Sequence, residues 1–446
     1  MRSLFAVVLV PLAGLMVFAC DDGTTTTRLV KVPREAGTSD AGAGGAGCVG
    51  SPCEADGGLT ADSGDAGERA PTPVPDPNYP TTHASLPLLR YAHGNVMDAP
   101  KVVTVTFDND TSRDLLEGFG DTITATPWWD AVSAGYCDDR GVCVGRGAGG
   151  GHVRVASPGA SLADAAGNTA SSSLKLYIDS QIQSGAFPAP DARTIYLLYT
   201  PNSTTVTLDG NVSCRDFAGF HNSMVTTPPG GGAPVTFTYA VVARCQDADS
   251  VMTFVASHEL IEAATDPIFD EVAKVQKGWT STTDAWDVLG GGEVADRCFD
   301  LSGHRGDLYR EGPYTVTRSW SNLAAAASHD PCVPAQPPDK LPYFNVMPEH
   351  GDVLTLKVGQ PVTVPIVAFT DAPLPPVTLS VTEQSGQLGL LSVLNVSLDT
   401  ETAQNGQVVN LTVTLVATPG LGYAPFVVTS TLGPFQHQSQ FIVRTP

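Results

Sequence analysis

Between residues 21 and 80 the chain carries scarcely any bulky apolar side chain, and this gap constrains how the rest can fold. A segment so rich in Gly, Ala, Asp, Thr and Pro buries too little surface to offset its ordering entropy. Residues 20–84 are therefore expected to form a disordered Gly/Ala/Asp/Pro-rich tether, and folding is left to the residues C-terminal to it. The chain has 446 residues, so that remainder still exceeds one ordinary compact domain and two folded units are expected. Gly 45, Pro 35 and an aromatic share of 7% point to loop-rich, β-containing architecture and exclude a coiled coil. Acidic residues outnumber basic ones 46 to 24. That balance repels phosphate backbones, so no nucleic-acid partner is expected.

The first residues read as an export signal. Arg2 supplies a positive start, residues 4–18 are apolar, and Val17-Phe18-Ala19-Cys20 sets a small residue directly before a cysteine. The segment resembles a bacterial lipoprotein signal and its lipobox. That resemblance implies removal of residues 1–19, a lipid on Cys20, and an exported, lipid-anchored protein of the bacterial cell envelope. The alternative is an ordinary signal peptide with Cys20 incidental. No later stretch approaches the ~18 apolar residues a spanning helix needs, so the mature chain is expected to be anchored to a membrane without crossing it again.

Lipidation of Cys20 leaves an even set: Cys48, Cys53, Cys137, Cys143, Cys214, Cys245, Cys298 and Cys332. Sequence order suggests local bridges 48–53, 137–143, 214–245 and 298–332, although many other connectivities are formally open. An oxidising compartment is then expected. None of the spacings is the paired CxxC of a structural zinc site.

Two folded regions are expected beyond the tether. Residues 85–335 mix β-branched and aromatic runs at 102–107, 194–199 and 236–242 with helical spacings at Leu174, Tyr177, Ile178 and Ile182 and at Val251, Phe254, Val255 and Ile261. This predicts an α+β domain able to hold a cleft. A Pro-rich hinge at 334–342 precedes seven strand-like runs at 353–358, 362–368, 377–381, 391–398, 408–417, 426–431 and 441–443. Residues 336–446 are thus expected to be an all-β, immunoglobulin-like sandwich, an accessory or binding module.

The chemically informative stretch is Ser257-His258-Glu259-Leu260-Ile261-Glu262-Ala263-Ala264-Thr265-Asp266-Pro267. On a helix whose apolar face holds Val251, Phe254 and Val255, His258 and Glu262 stand one turn apart and point to one place. An imidazole and a carboxylate so placed can hold one ion, and Glu259 can reach a water beside it, as in HExxH zinc hydrolases. Here the pattern is HExxE. A carboxylate in place of the second histidine lowers the Lewis acidity of zinc and admits calcium or manganese.

Asp266 lies about 12 Å beyond His258 on a straight helix and cannot share the ion unless the chain turns. The better source of a third ligand is Gly292-Glu293-Val294-Ala295-Asp296-Arg297-Cys298, where of Glu293 and Asp296, three residues apart, one can ligate and the other orient a ligating histidine. The arrangement resembles the glutamate-ligand zincins, and that resemblance implies Glu293 as the third ligand and Asp296 as the residue that holds the histidine from outside the coordination sphere.

These segments, with Trp320-Ser321-Asn322 ahead of Cys332 and Gly219-Phe220-His221 between Cys214 and Cys245, resemble the HELxExxTxP, GEIxDxC and WSN…C signatures of the phosphate-induced (Exordium-like) protein family. The resemblance covers about 95–335 and implies export and a zincin-like fold with a metal-binding cluster. It leaves the reaction open.

His221 and His304 are otherwise expected to be hydrogen-bonded structural residues. Trp128, Trp129, Trp279 and Trp286 are expected as core or cleft wall. The leading functional expectation is a surface-anchored zinc hydrolase of metallopeptidase type, with His258, Glu262 and Glu293 on Zn2+ and Glu259 activating water. The alternative is a non-catalytic envelope binding protein in which the same cluster holds a structural ion, calcium being a rival to zinc, or no ion at all.

Overall fold

The computed structural model describes residues 78–446 apart from 109, 169–170, 247, 271–274, 281–284, 287–291, 299–307, 336–341, 349–350 and 389–390. Cys20, Cys48 and Cys53, the signal segment, most of the tether and His304 lie outside the described residues.

The first region is built on β1 (Lys101–Phe107), β2 (Ala148–Val155), β4 (Thr194–Thr200), β7 (Gly219–Thr226) and β8 (Val235–Ala243), in sheet order β2-β1-β4-β8-β7. The first four of these strands in sheet order run parallel, and β7 lies antiparallel along β8 at one edge. β4, Thr-Ile-Tyr-Leu-Leu-Tyr-Thr, is buried at every position, as a central parallel strand covered on both faces must be.

Alternation divides its side chains. Ile195, Leu197 and Tyr199 join Val102, Ala240 and Val242 on the face covered by α1 (Arg113–Thr122) and α4 (Asp249–Thr265). Tyr196 and Leu198 join Val103, Val105, Tyr239 and Val241 on the other face, against Leu174, Ile178 and Ile182 of α3 (Ser173–Gln183). Two cores on one sheet explain why the apolar runs here are unbroken rather than alternating.

Smaller elements close the periphery. A three-stranded sheet contains β3 (Ser161–Asp164), β5 (Thr205–Leu208) and β6 (Asn211–Val212), and hairpins pair β9 (Ile268–Asp270) with β10 (Val275–Lys277) and β11 (Leu308–Glu311) with β12 (Tyr314–Thr317). β13 (Ser319–Trp320) pairs with β14 (Cys332–Val333). Helix α2 (Pro127–Ser133) starts with Pro127 after Thr126, whose side chain accepts from the Trp129 N–H, a cap that satisfies an otherwise orphan donor. Trp128 and Trp129 are core, and their indoles donate to the carbonyls of Thr317 and Gly145 at 2.7 and 2.9 Å.

The C-terminal region is a two-sheet sandwich. One sheet has the order β15-β17-β21-β19 and the other β16-β23-β22-β18-β20. Their elements are β15 (Phe344–Pro348), β16 (Val353–Thr355), β17 (Pro361–Thr370), β18 (Val377–Glu383), β19 (Leu394–Leu398), β20 (Thr402–Ala403), β21 (Val408–Leu415), β22 (Tyr423–Leu432) and β23 (Phe435–Arg444). Inward residues of both sheets, among them Phe344, Ile366, Leu411, Phe426 and Phe441, form one core.

The sequence expectation missed two of these strands. β20 has two residues, too few for any periodicity, and β15 contains Asn345 and Pro348, residues tolerated because β15 is an edge strand. Tyr343, Met347, Phe369 and Ile442 pack into the core of the first region, so the sandwich rests against it.

Strand outweighs helix overall. Among the described residues no helix is long and apolar enough to cross a membrane.

Candidate metal centre

Helix α4 is buried on all sides from Val251 to Thr265. Its apolar and small residues, including Ala256, Ala263 and Ala264, let the sheet and β12 approach closely, as expected of a helix without a polar face. Serine and threonine hydroxyls fix it to β12. The Thr317 N–H donates to Ser257 Oγ at 2.8 Å and Thr253 Oγ1 donates to the Thr315 carbonyl at 2.8 Å. The helix ends where Pro267 stops it. Asp266 adopts φ −143° while its N–H still reaches the Glu262 carbonyl, so the Asp266 side chain leaves the helical path.

Seven ionisable side chains meet in this interior. From α4 and its end come His258, Glu259, Glu262 and Asp266, from β7 comes His221, and from the segment before Cys298 come Glu293 and Asp296. His258 Nε2 lies 2.9 Å from Glu262 Oε1 and 3.4 Å from Asp296 Oδ1. His221 Nε2 lies 3.2 Å from Asp266 Oδ1, while its Nδ1 is 3.5 Å from Glu259 Oε2 and 3.9 Å from Glu262 Oε2.

Three sets each bring ligand atoms within 4.8 Å of one another: His258 with Glu262 and Asp296, His221 with Asp266 and Glu293, and His221 with Glu259 and Glu262. The backbone N–H groups of Ala295 and Asp296 donate to Glu262 Oε1 at 3.2 and 3.3 Å. That contact docks the downstream segment onto the helix.

His258 and Asp266 are 0% exposed. Burial alone opposes a charged His258, but the Glu262 and Asp296 carboxylates outweigh it and raise its pKa to about 10. His221 is raised well above the ordinary histidine range, the carboxylates of Asp266 and Glu293 overcoming the same penalty. Burial pushes Glu262 up to about 7 and raises Asp266 and Glu293 as well.

Among the described residues, five carboxylates and two imidazoles share this interior, and burial is what holds three of the carboxyl groups toward their neutral form. Both ring nitrogens of His258, His221 Nε2, both Asp266 carboxylate oxygens and Glu293 Oε2 are buried without a hydrogen bond. Buried polar atoms are rarely left so, and imidazole nitrogens with carboxylate oxygens are a donor set able to hold a cation.

The sequence-predicted residues all arrive here, though not as one triad. His258 and Glu262 share an apex with Asp296, expected outside the sphere, whereas Glu293 sits with His221 and Asp266. Glu259 points toward β7, with Oε1 against Gly219. Sequence reasoning did not bring His221 to the site. Phe220 and Met224 belong to the α3-side core, so the residues alternating with them face α4.

All three expected bridges whose cysteines lie among the described residues are formed: Cys137–Cys143, Cys214–Cys245 and Cys298–Cys332. The second ties the chain before β7 to the turn that enters α4, and the third anchors the residue two positions after Asp296.

No family model and no curated protein matches the chain. Among solved structures, the chain is similar over 24% of its length to the titin M3 domain, of which 98% is covered, at 17% identity and a TM-score of 0.16. It is similar over the same share to a chimeric titin Z1Z2 carrying a KLER peptide from decorin, of which 95% is covered, at 17% identity and TM-score 0.17. A third similarity is to the GAE domain of GGA2p from Saccharomyces cerevisiae, covering 24% of this chain and 93% of that one, at 6% identity and TM-score 0.16. Likenesses this weak say nothing about the buried cluster.

Proposed function

We propose that this chain is an exported, lipid-anchored hydrolase of metallopeptidase type, with a zincin-like first region and with His258, Glu262 and Asp296 holding a divalent cation. The observation that carries the reading is the pair of buried imidazoles among five carboxylates, with six of their nitrogen and oxygen atoms buried without a hydrogen bond. The donor spacing supports the fit. Tetrahedral zinc with bonds of about 2.1 Å requires ligand atoms roughly 3.4 Å apart, and His258 Nε2 stands 2.9 and 3.4 Å from its two carboxylate neighbours. An imidazole ligand favours zinc over calcium, which takes oxygen ligands.

When bound, the cation supplies a Lewis acid and lowers the pKa of water. The chain's own residues do the rest. Glu262 is fixed by two backbone N–H groups, and Glu259, one position after His258, presents a carboxylate able to take a proton from the attacking water and return it to the leaving amine.

Glu259→Gln removes that base and keeps the ligands. Metal content should remain, and cleavage of a general protein substrate such as casein should fall by about 100-fold or more. A variant that cleaves as fast as wild type overturns the mechanism. A second reading, a structural ion in an envelope protein whose sandwich binds protein or glycan, is favoured by the near-complete burial of His258 and Asp266. In that case chelation lowers the melting temperature, and no metal load gives cleavage.

A further inference from the structure

We infer that His221, Asp266 and Glu293 form a second divalent-cation subsite, beside and separate from the one on His258, Glu262 and Asp296. This rests on the reading that the buried cluster holds a cation at all.

Alternation along β7 turns His221 toward α4, opposite to Phe220 and Met224. The break in helical geometry at Asp266 carries its carboxylate to His221 Nε2, 3.2 Å away. Glu293 reaches the same pair from the downstream segment. Four atoms here are buried without a hydrogen bond: His221 Nε2, both oxygens of Asp266 and Glu293 Oε2. The His221 side chain is 2% exposed and that of Asp266 0%.

The other nitrogen of His221 fits the role. Nδ1 lies 3.5 Å from Glu259 Oε2, and a metal-ligating imidazole ordinarily gives its second N–H to a carboxylate that fixes ring orientation. The two triads share no residue. With neutral imidazoles, one divalent cation leaves the five carboxylates three charges in excess, and two leave one. A single imidazole with two carboxylates suits zinc, manganese or iron(II).

The test uses the purified mature chain, stripped with a chelator, dialysed and loaded with Zn2+, with bound zinc measured by elemental analysis. Wild type should bind two equivalents, and Asp266→Asn and His221→Gln should each bind one. One equivalent in wild type, unchanged in both variants, overturns the second subsite and leaves the first standing. No bound metal overturns both. Two equivalents that neither variant reduces place the second ion elsewhere and also overturn the inference.

A measurement on wild type guards against a variant that misfolds. Loaded with Mn2+, two neighbouring occupied subsites should broaden and weaken the six-line EPR signal of an isolated ion. An undisturbed six-line signal at full loading refutes the inference.

Discussion

Gly219 shows how little tolerance the site has at a single position. A Cβ there would stand 2.5 Å from Val255 Cγ1 and 2.7 Å from Glu259 Oε1, both atoms of the helix that carries the cluster. Its backbone is ordinary β-strand, so the requirement for glycine comes from close approach and not from dihedral angles. Gly219→Ala should cost about 1–3 kcal/mol, the usual range for overpacking, and should displace the Glu259 carboxylate. Urea denaturation and zinc affinity check this together, and an alanine variant matching wild type in both would mean that β7 and α4 can separate freely. The same scale explains why Asp266 is hard to place from sequence. Helical spacing puts it about 12 Å from His258. It takes up His221 instead, a partner from a different strand that no spacing along the chain reveals.

The downstream segment packs into the same core as α4 and gives its Ala295 and Asp296 N–H groups to Glu262, and a disulfide bridge ties its end to another element. Asp296–Cys298 is a single 3₁₀ turn, too short to persist alone, and Cys298 ties it to β14 across a separation of 34 residues. Loop-closure entropy for that length corresponds to about 3–4 kcal/mol. The double substitution Cys298→Ser and Cys332→Ser should therefore lower stability by up to that amount. Because Glu293 and Asp296 precede the bridge closely, it should weaken metal retention as well, measured as zinc remaining after dialysis. Unchanged retention would show that the Ala295 and Asp296 N–H contacts with Glu262 suffice to hold the segment. The helix itself was legible: apolar spacing from Val251 predicts it, and Pro267 marks its end. Edge strand β7 was not read as a strand, since its Asn, Ser and Met content lacks the β-branched signature and its stability comes from pairing with β8 and packing on α4.

At the scale of the whole molecule, the two regions meet along Tyr343, Met347, Phe369 and Ile442, beside a cavity of about 70 Å³ lined by Arg318, Asp330, Tyr343, Asn345 and His437 among others. His437 stands edge-on to Tyr343 and Phe344, and burial, aided by Arg318 and opposed by Asp330, lowers its pKa to about 4. The folded state thus keeps this ring neutral down to about pH 4, whereas an unfolded chain protonates it near 6.5. Between those values the unfolded state binds more protons, so this contribution is intact above pH 6.5 and is lost as pH falls toward 4. The ring is partly open to solvent, which keeps the effect to about 1–2 kcal/mol. Urea denaturation at pH 7 and pH 5 should show a smaller loss of stability for His437→Phe than for wild type, and equal losses would remove His437 from the account.

Three central strands of the first sheet, helix α4 with His258, Glu259 and Glu262 on it, and the suggested pairing of six cysteines in chain order could be read from the chain, because each follows from side-chain periodicity or order along it. Which carboxylate faces which histidine could not. Those contacts join a strand, a helix end and a loop far apart in the chain, and their grouping follows from how the sheet and α4 pack, a property that no single segment carries.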